Sequence, residues 1–493
     1  MYILSSDQIK EHDTLTRERY GLSTEQLMEQ AAVALTHQLV AHVPIDTPVW
    51  IFCGSGNNGG DGLAISRLLL QRGYSVFPWL VKPYQLSPAT EANLIRLQQM
   101  LPVPEIHFLK EMPEIPSGIV IIDAIFGSGL NRPVEGLHQD IIRKINQSRS
   151  TVISIDMPSG LYADTASDSK YILQATRTLT IEYLKKSMMM ACNAAYVGDV
   201  TVVPIGLVPM SSTDLSSSEI VITPKLIQSI RHPRSRFGHK GTFGKAYIMC
   251  GSQAYAGAAL LTTRACMRSG VGYTFAQVPA YVAPILTSAV PEVIVLSDNA
   301  NSEWSAIGDF SGSHAVAFGP GVGVTDNTQR CLKQLLDAIE IPLVLDASAL
   351  EILSLHPDWW PLLDPGTILT PHPKEMDRLL GEPARDDWDR LSKTIDWAVQ
   401  HKVIVVLKGA YTCVVDYTTR NVYFNTGGNS GMGTAGSGDV LTGVIVGLLA
   451  QGYTPLQAAM MGVYEHARAG DAAAAARSEA SMIAGDIIDH LRI

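Results

Sequence analysis

Residues 431–444 read G-M-G-T-A-G-S-G-D-V-L-T-G-V. Five glycines in this run let the backbone close on something, and a lone carboxylate, Asp439, precedes the apolar segment 440–449. The pattern is a loop entering a helix, where unpaired amides favour an anion and glycine permits its close approach. An acid in that first turn would repel a phosphate, so Asp439 points instead to removal of a proton from a substrate hydroxyl. A plain glycine turn followed by an N-terminal acid that suits the helix dipole carries the same letters.

A second set lies at 53–62, C-G-S-G-N-N-G-G-D-G. Gly54, Gly56 and Gly59 satisfy G-x-G-x-x-G, but the acid expected about 20 residues later in a dinucleotide fingerprint is missing. Asn57, Asn58 and Asp61 instead offer side-chain oxygens, as a hard cation or a sugar hydroxyl requires. Two apolar runs, 119–123 and 151–156, end in Asp123 and Asp156 and lead into F-G-S-G-L-N-R-P and M-P-S-G-L. Asn58, Asp123 and Ser159 then converge as oxygen ligands, with Asp156 as a proton carrier. Singly, either acid could merely cap its turn.

These residues need parallel strands to carry them. Strands at 49–53, 119–123 and 151–156 alternate with helices at 62–73 and from Gln8, the latter capped by Ser6-Asp7. In the second half, strands at 245–250, 344–346 and 403–407 alternate with a small-residue helix ending near Gly270 and another at 440–451. Alternation of this kind predicts α/β architecture, with ligands beyond the carboxyl ends of the strands. At 493 residues, two cores are expected. The Ser-rich cluster S-S-T-D-L-S-S-S marks the seam, giving domains 1–212 and 221–493 with a linker at 213–220.

A net charge of −10 argues against a nucleic-acid binder. Six scattered cysteines, without a C-x-x-C pair, suggest neither a disulfide framework nor a zinc site. The N-terminal stretch has no signal-peptide apolar core, and no apolar run reaches the roughly 18 residues of a membrane span. A soluble, cytoplasmic protein is expected. Whether it forms a homo-oligomer is left open.

The loop G-S-G-N-N-G-G-D-G, the D-A-I-F-G turn and the D-M-P-S-G turn resemble the YjeF N-terminal domain, a Rossmann-like three-layer sandwich. The resemblance implies epimerisation of hydrated NADH and NADPH, which carry a hydroxyl at C6 of the nicotinamide ring. It implies hydrate contacts from Asn57, Asn58, Gly59, Gly60 and Asp61, and from Gly127, Ser128, Gly129, Leu130, Asn131, Arg132 and Pro133. Asp156 joins them as the catalytic residue, and Asn58, Asp123 and Ser159 would hold potassium. Lys185 aligns with a lysine frequent in that family; as a neighbour of Lys186 it could equally be a solvated side chain.

The second half resembles the ribokinase-like NAD(P)H-hydrate dehydratase domain. H-K-G-T-F-G-K, Y-A-G-A, G-P-G-V-G, L-T-P-H-P-K-E, L-K-G-A-Y-T and the 431–444 run appear in that order. The resemblance implies dehydration of the S-hydrate with consumption of ADP, accompanied by magnesium. Lys408, Gly409, Ala410, Tyr411, Thr412 and Gly438 would take the nucleotide. Ala258, Gly323, His372 and Asp439 would take the hydrate, with Asp439 as general base; His372, between two prolines, could also be a rigid turn residue. Ser348 stands where the family often has an acid, Lys374 where glycine is common, and Gly433, Ala435 and Ser437 depart from the usual loop. A small-molecule kinase fused to a non-catalytic binding module is the alternative, since related kinases share G-x-G-D.

Overall fold

The computed structural model describes residues 1–81, 85–100, 105–300 and 304–493. The chain divides into two compact units, 2–217 and 218–493, with Met1 belonging to the latter.

In the first unit the strands are β1 (Val49–Cys53), β2 (Val76–Val81), β3 (His107–Leu109), β4 (Val120–Ala124), β5 (Thr151–Ile155), β6 (Arg177–Ile181) and β7 (Asp199–Val203). They form one sheet in the order β3-β2-β1-β4-β5-β6-β7, with every pairing parallel. The unbroken apolar run of β1 follows from burial on both faces. Val49, Ile51 and Cys53 enter one core, while Trp50 and Phe52 enter the other. The strand order reverses at β1 and β4, which leaves a crevice beyond their carboxyl ends.

The second unit contains β8 (Glu219–Val221), β9 (Lys245–Met249), β10 (Tyr273–Val278), β11 (Ile294–Ser297), β12 (Ala315–Phe318), β13 (Leu343–Leu345), β14 (Ile368–Leu369), β15 (Ile404–Leu407), β16 (Cys413–Val415) and β17 (Val422–Phe424). Their order is β11-β10-β9-β12-β13-β14-β15-β16-β17-β8, reversing at β9 and β12. Here the sheet is mixed, because β16 pairs antiparallel with both β15 and β17. Strand β8 starts at Glu219, inside the segment expected to be linker, and pairs with β17. The helix Ser437–Ala450 is buried along nearly its whole length and packs on the helix Ala256–Arg268. Gly443 allows this approach, since a Cβ there would lie 2.2 Å from the Thr262 carbonyl oxygen.

Two helix starts differ from expectation. The N-terminal helix is Ser6–Tyr20, capped by Ser5 in a reciprocal box with Gln8 rather than by Ser6-Asp7. The asparagine–glycine stretch is not a loop preceding a helix at 62: the helix is Asn57–Gln71. Its glycines supply space rather than unusual torsions. A Cβ on Gly59 would fall 1.8 Å from the Gly54 carbonyl oxygen, so the helix can begin directly over the end of β1.

Candidate functional sites

In the first unit a cavity of about 530 Å³ opens at the β1/β4 reversal. Asn57, Asn58 and Asp61 line it from the start of the helix Asn57–Gln71, and Gly127, Ser128, Gly129, Leu130, Asn131 and Arg132 from the turn after β4. Asp156 reaches it from the end of β5. Three of the expected hydrate contacts do not line it. Gly59 and Gly60 are buried under the helix start, Gly60 against Met28 and Thr90, and Pro133 is exposed away from it.

Asp156 sits in the left-handed region at φ 64°, a conformation aspartate tolerates better than most residues. Its Oδ2 accepts from the Ser128 amide at 2.9 Å, and its Oδ1 accepts from Lys185 Nζ. Lys185 is no solvated lysine: it is 1% exposed and also donates to Thr180 Oγ1 at 2.8 Å. Burial pushes the Asp156 carboxyl up, but the charge and hydrogen bond of Lys185 and the Ser128 amide outweigh it and hold the group below its ordinary range. Gly127 gives this carboxylate room, since a Cβ there would lie 3.0 Å from Asp156 Oδ2 and 3.3 Å from Asn58 Cγ.

Asp123 and Ser159 lie beneath the cavity, fully buried, and do not line it. Ser159 Oγ and Ile125 N donate to Asp123 Oδ1, at 2.6 Å and 3.2 Å; Ser154 Oγ and Ser159 N donate to Oδ2, both at 2.9 Å. Burial still pushes the Asp123 carboxyl up, against these hydrogen bonds. Asn58, also buried, has neither side-chain polar atom hydrogen-bonded.

In the second unit a cavity of about 780 Å³ is lined by His372, Lys408, Gly409, Ala410, Tyr411, Thr412 and Gly438, with Asn425, Ser437 and His466. All six residues expected to take a nucleotide therefore meet on one surface. Ala258, Gly323 and Asp439 are outside its lining. Ala258 instead packs against the G-P-G-V-G loop, where a Cβ on Gly321 would come within 2.8 Å of it, and the Gly323 amide donates to Ser348 Oγ at 3.1 Å. Ser348, the departure from an acid, thus serves as that loop's acceptor.

Asp439 occupies the first turn of the helix Ser437–Ala450. Among the described residues its carboxyl accepts no hydrogen bond. It interacts electrostatically with Cys250 just after β9, Asp346 just after β13 and Lys408 just after β15. Burial, and then repulsion from Asp346, push its carboxyl up to about 7, although Lys408 opposes the shift. Asp346 is itself tied down: Lys408 Nζ donates to Oδ1 at 3.0 Å and Thr442 Oγ1 to Oδ2 at 2.7 Å. Glu375 Oε2 lies 3.8 Å from the same Lys408 nitrogen.

His372 performs the turn role as well as lining the cavity. Its Nδ1 accepts from the amides of Lys374 and Glu375 at 3.1 and 3.3 Å, and the His372 amide donates to Glu375 Oε2 at 2.7 Å. Three further residues carry site electrostatics without a distinct sequence signal: Asp13 and Glu182 in the first cavity, and His466 in the second. Burial, with the Lys408 charge, lowers His466 to about 4, which leaves a neutral ring 3.4 Å from Ser437 Oγ.

Residues 24–187 match the family described as YjeF-related protein N-terminus, and 246–492 the family described as NAD(P)H-hydrate dehydratase. The bifunctional NAD(P)H-hydrate repair enzyme of Moorella thermoacetica is 34% identical over 514 residues, covering 100% of this chain and 96% of that protein. Its counterpart in Coxiella burnetii is 32% identical over 497 residues, covering 99% and 98%. Among solved structures, the ADP/ATP-dependent NAD(P)H-hydrate dehydratase of Bacillus subtilis, co-crystallised with ATP and Mg²⁺, is 30% identical with a TM-score of 0.49. It covers 55% of this chain and 96% of that one.

Proposed function

Because the chain belongs to the family of bifunctional NAD(P)H-hydrate repair enzymes, we propose that its two cavities divide one repair between them. The protein epimerises the R and S hydrates of NADH and NADPH, and dehydrates the S form at the expense of ADP, giving AMP and phosphate. The observation that carries the assignment of residues is the pair of carboxyl groups, Asp156 ionised against Lys185 and Asp439 poised at about 7 beside Asp346 and Lys408.

In the first cavity the hydrate's C6 carries both a hydroxyl and the ring nitrogen, so inversion there requires a proton to be moved at an oxygen. Asp156, kept ionised, takes it. The 127–132 turn and the helix start at Asn57 bracket the ring. Potassium fits this unit: the orphaned Asn58 carbonyl oxygen needs a partner, and a cation would offset the buried charge of Asp123, with Ser159 as its neighbour. Potassium held by Asn58, Asp123 and Ser159 would supply a fixed positive charge to this site.

In the second unit the cavity residues Lys408, Gly409, Ala410, Tyr411, Thr412 and Gly438 hold the nucleotide, and His372, together with Ala258 and Gly323 outside that cavity's lining, faces the hydrate. Hydrogen bonds to a charged phosphate are worth roughly 1.5–3 kcal/mol each, against at most about 2 from a helix dipole, so the amides dominate. Asp439 removes the proton from the C6 hydroxyl as its oxygen attacks the terminal phosphorus of ADP, and AMP leaves. The phosphorylated C6 then loses phosphate as C5 loses a proton, which restores the dihydropyridine. Hydroxide is a poor leaving group and phosphate a good one; the nucleotide is consumed for that reason. Magnesium would come with the nucleotide phosphates and keep most of its waters.

The test is recovery of reduced-nicotinamide absorbance from a mixture of NADPH hydrate epimers, run with ADP, ATP and no nucleotide. Full recovery with ADP, stoichiometric AMP and no lasting phosphorylated product is expected. Recovery of half the mixture would remove the epimerase assignment, and a stable phosphorylated product would make the second unit a kinase.

A further inference from the structure

Two carboxyl groups on the first cavity's wall, Asp13 and Glu182, have no part in the reading above, and Glu182 is already engaged, its Oε2 accepting from the Ile205 amide at 2.7 Å. Asp13 comes from the helix Ser6–Tyr20, a different element from the turn that carries Asp156. That helix is fixed in place on both sides of Asp13. Ser6 Oγ donates to the Ser128 carbonyl at 2.7 Å, within the cavity's own 127–132 turn. His12, fully buried, bonds the Val208 carbonyl at 3.0 Å and the Tyr183 hydroxyl at 2.9 Å, and Thr16 Oγ1 accepts from Val208 N at 3.2 Å. Asp13 itself, half-buried, accepts no hydrogen bond among the described residues. Such rigid support is more than a solvated acid needs.

Resting on Asp156 as the base of epimerisation, we infer that Asp13 is the acid that protonates the departing C6 hydroxyl. The C6–O bond breaks with its electron pair going to oxygen, so water leaves, while the N1 lone pair forms a C6=N1 iminium. A water adds to the other face of C6 and gives up its proton to Asp156. Nothing is oxidised or reduced, and the pair ends with its one proton moved from Asp13 to Asp156. The electrostatics agree. Burial, and then the charge of Asp156, raise Asp13 to about 6, with Glu182 adding to the shift and Lys185 and Arg17 opposing it. Two carboxyls pushed apart around one cavity are the usual mark of an acid and a base. Asp61, also raised, lines the cavity but is buried at the helix start, whereas half-buried Asp13 is the more open to proton exchange with solvent.

Because the active pair carries one proton, epimerisation should fall as pH rises through about 6. In full-length Asp13→Asn protein, conversion of R-hydrate to S-hydrate, followed by separation of the epimers, should show kcat lowered about 100-fold. KM should change little, the alkaline decline should vanish, and Asp13→Glu should recover part of the rate. Dehydration of pure S-hydrate by the same protein, at wild-type rate, shows that the chain is folded. Asp13→Asn protein that keeps the wild-type kcat or the alkaline decline overturns the inference, as does loss of that decline in Asp61→Asn instead. Failure of the underlying reading is separate: it would appear as epimerisation surviving Asp156→Ala.

Discussion

Under the proposed assignment Asp156 and Asp439 do related work, each taking a proton from an oxygen at C6 of one damaged cofactor, and the two units prepare them in opposite ways. Asp156 is held in a left-handed turn against a buried lysine and stays ionised. Asp439 lies in an ordinary helical turn, its carboxyl accepting no hydrogen bond among the described residues, and titrates near neutrality. The cavities account for the difference under the proposed assignment. Nothing in the epimerisation brings a second anion to Asp156, so a lysine can be given to it permanently. Asp439 must share its surroundings with nucleotide phosphates. There the lysine, Lys408, is committed to Asp346, and the base takes on its full charge only near neutral pH.

Breaking the pairs should expose this asymmetry. The largest effect is expected from Asp156→Ala, which leaves Lys185 buried without its counter-ion at a cost of about 3–5 kcal/mol. Calorimetry should show the melting of one unit shifted well down, with epimerisation abolished and dehydration of S-hydrate retained. Asp439→Asn should lower dehydration by about 10²–10⁴ with nucleotide affinity kept, and here stability should not fall. A carboxyl raised to about 7 in the folded chain binds its proton more tightly than in the unfolded one. Native stability is therefore lost as pH climbs from the unfolded carboxylate range towards 7, and the cost is complete above it. The asparagine variant escapes that cost, so its melting temperature should match the wild type in acid and exceed it above pH 7. A melting temperature lowered at every pH would mean that Asp439 has a structural partner.

The wild-type protein offers a subtler version of the same contrast. Dehydration should rise with pH through about 7, because Asp439 must be ionised, whereas epimerisation should decline through about 6 as Asp13 loses its proton. Parallel profiles for the two activities, measured on one preparation with R- and S-hydrate, would contradict the opposed preparation of their carboxyl groups.

How much of this was legible follows a physical line. Runs such as Val49–Cys53 are apolar throughout because parallel strands are buried on both faces, and the acids near the end of β4 and just after β5 mark where those strands end. The helix start at Asn57 was hidden, because glycines that make room for backbone contact look in sequence like glycines that make a loop. Lys185 was ambiguous beside Lys186, since only the fold decides which of two adjacent lysines turns inward. Asp13 was invisible: a helix of polar residues gives no hint which acid meets a cavity walled by residues between Ser55 and Leu207. The antiparallel β16 and β17 are three residues each, too short for their period to register.

The smallest expected effects come from one methyl group placed beside each constellation. Gly127→Ala would put its Cβ 3.0 Å from Asp156 Oδ2 and 3.3 Å from Asn58 Cγ, closer than either neighbour tolerates unmoved. Asp156 cannot yield freely, because Lys185 and the Ser128 amide hold both its oxygens. A shift of a few tenths of an ångström is therefore forced on the base itself. Since misplacement by a full ångström can cost about 100-fold, a loss of up to about 10-fold in epimerase kcat is expected, with KM less affected. In Gly438→Ala the new Cβ would stand 3.4 Å from Lys408 Nζ and 3.8 Å from Asp346 Oδ2, which is ordinary contact, and the Lys408–Asp346 pair need not move. The added methyl instead narrows the nucleotide's approach, so KM for ADP should rise a few-fold while kcat for dehydration holds. If both alanine variants lost kcat alike, the second carboxyl would be as tightly held as the first, and the contrast between a clamped base and a poised one would fail.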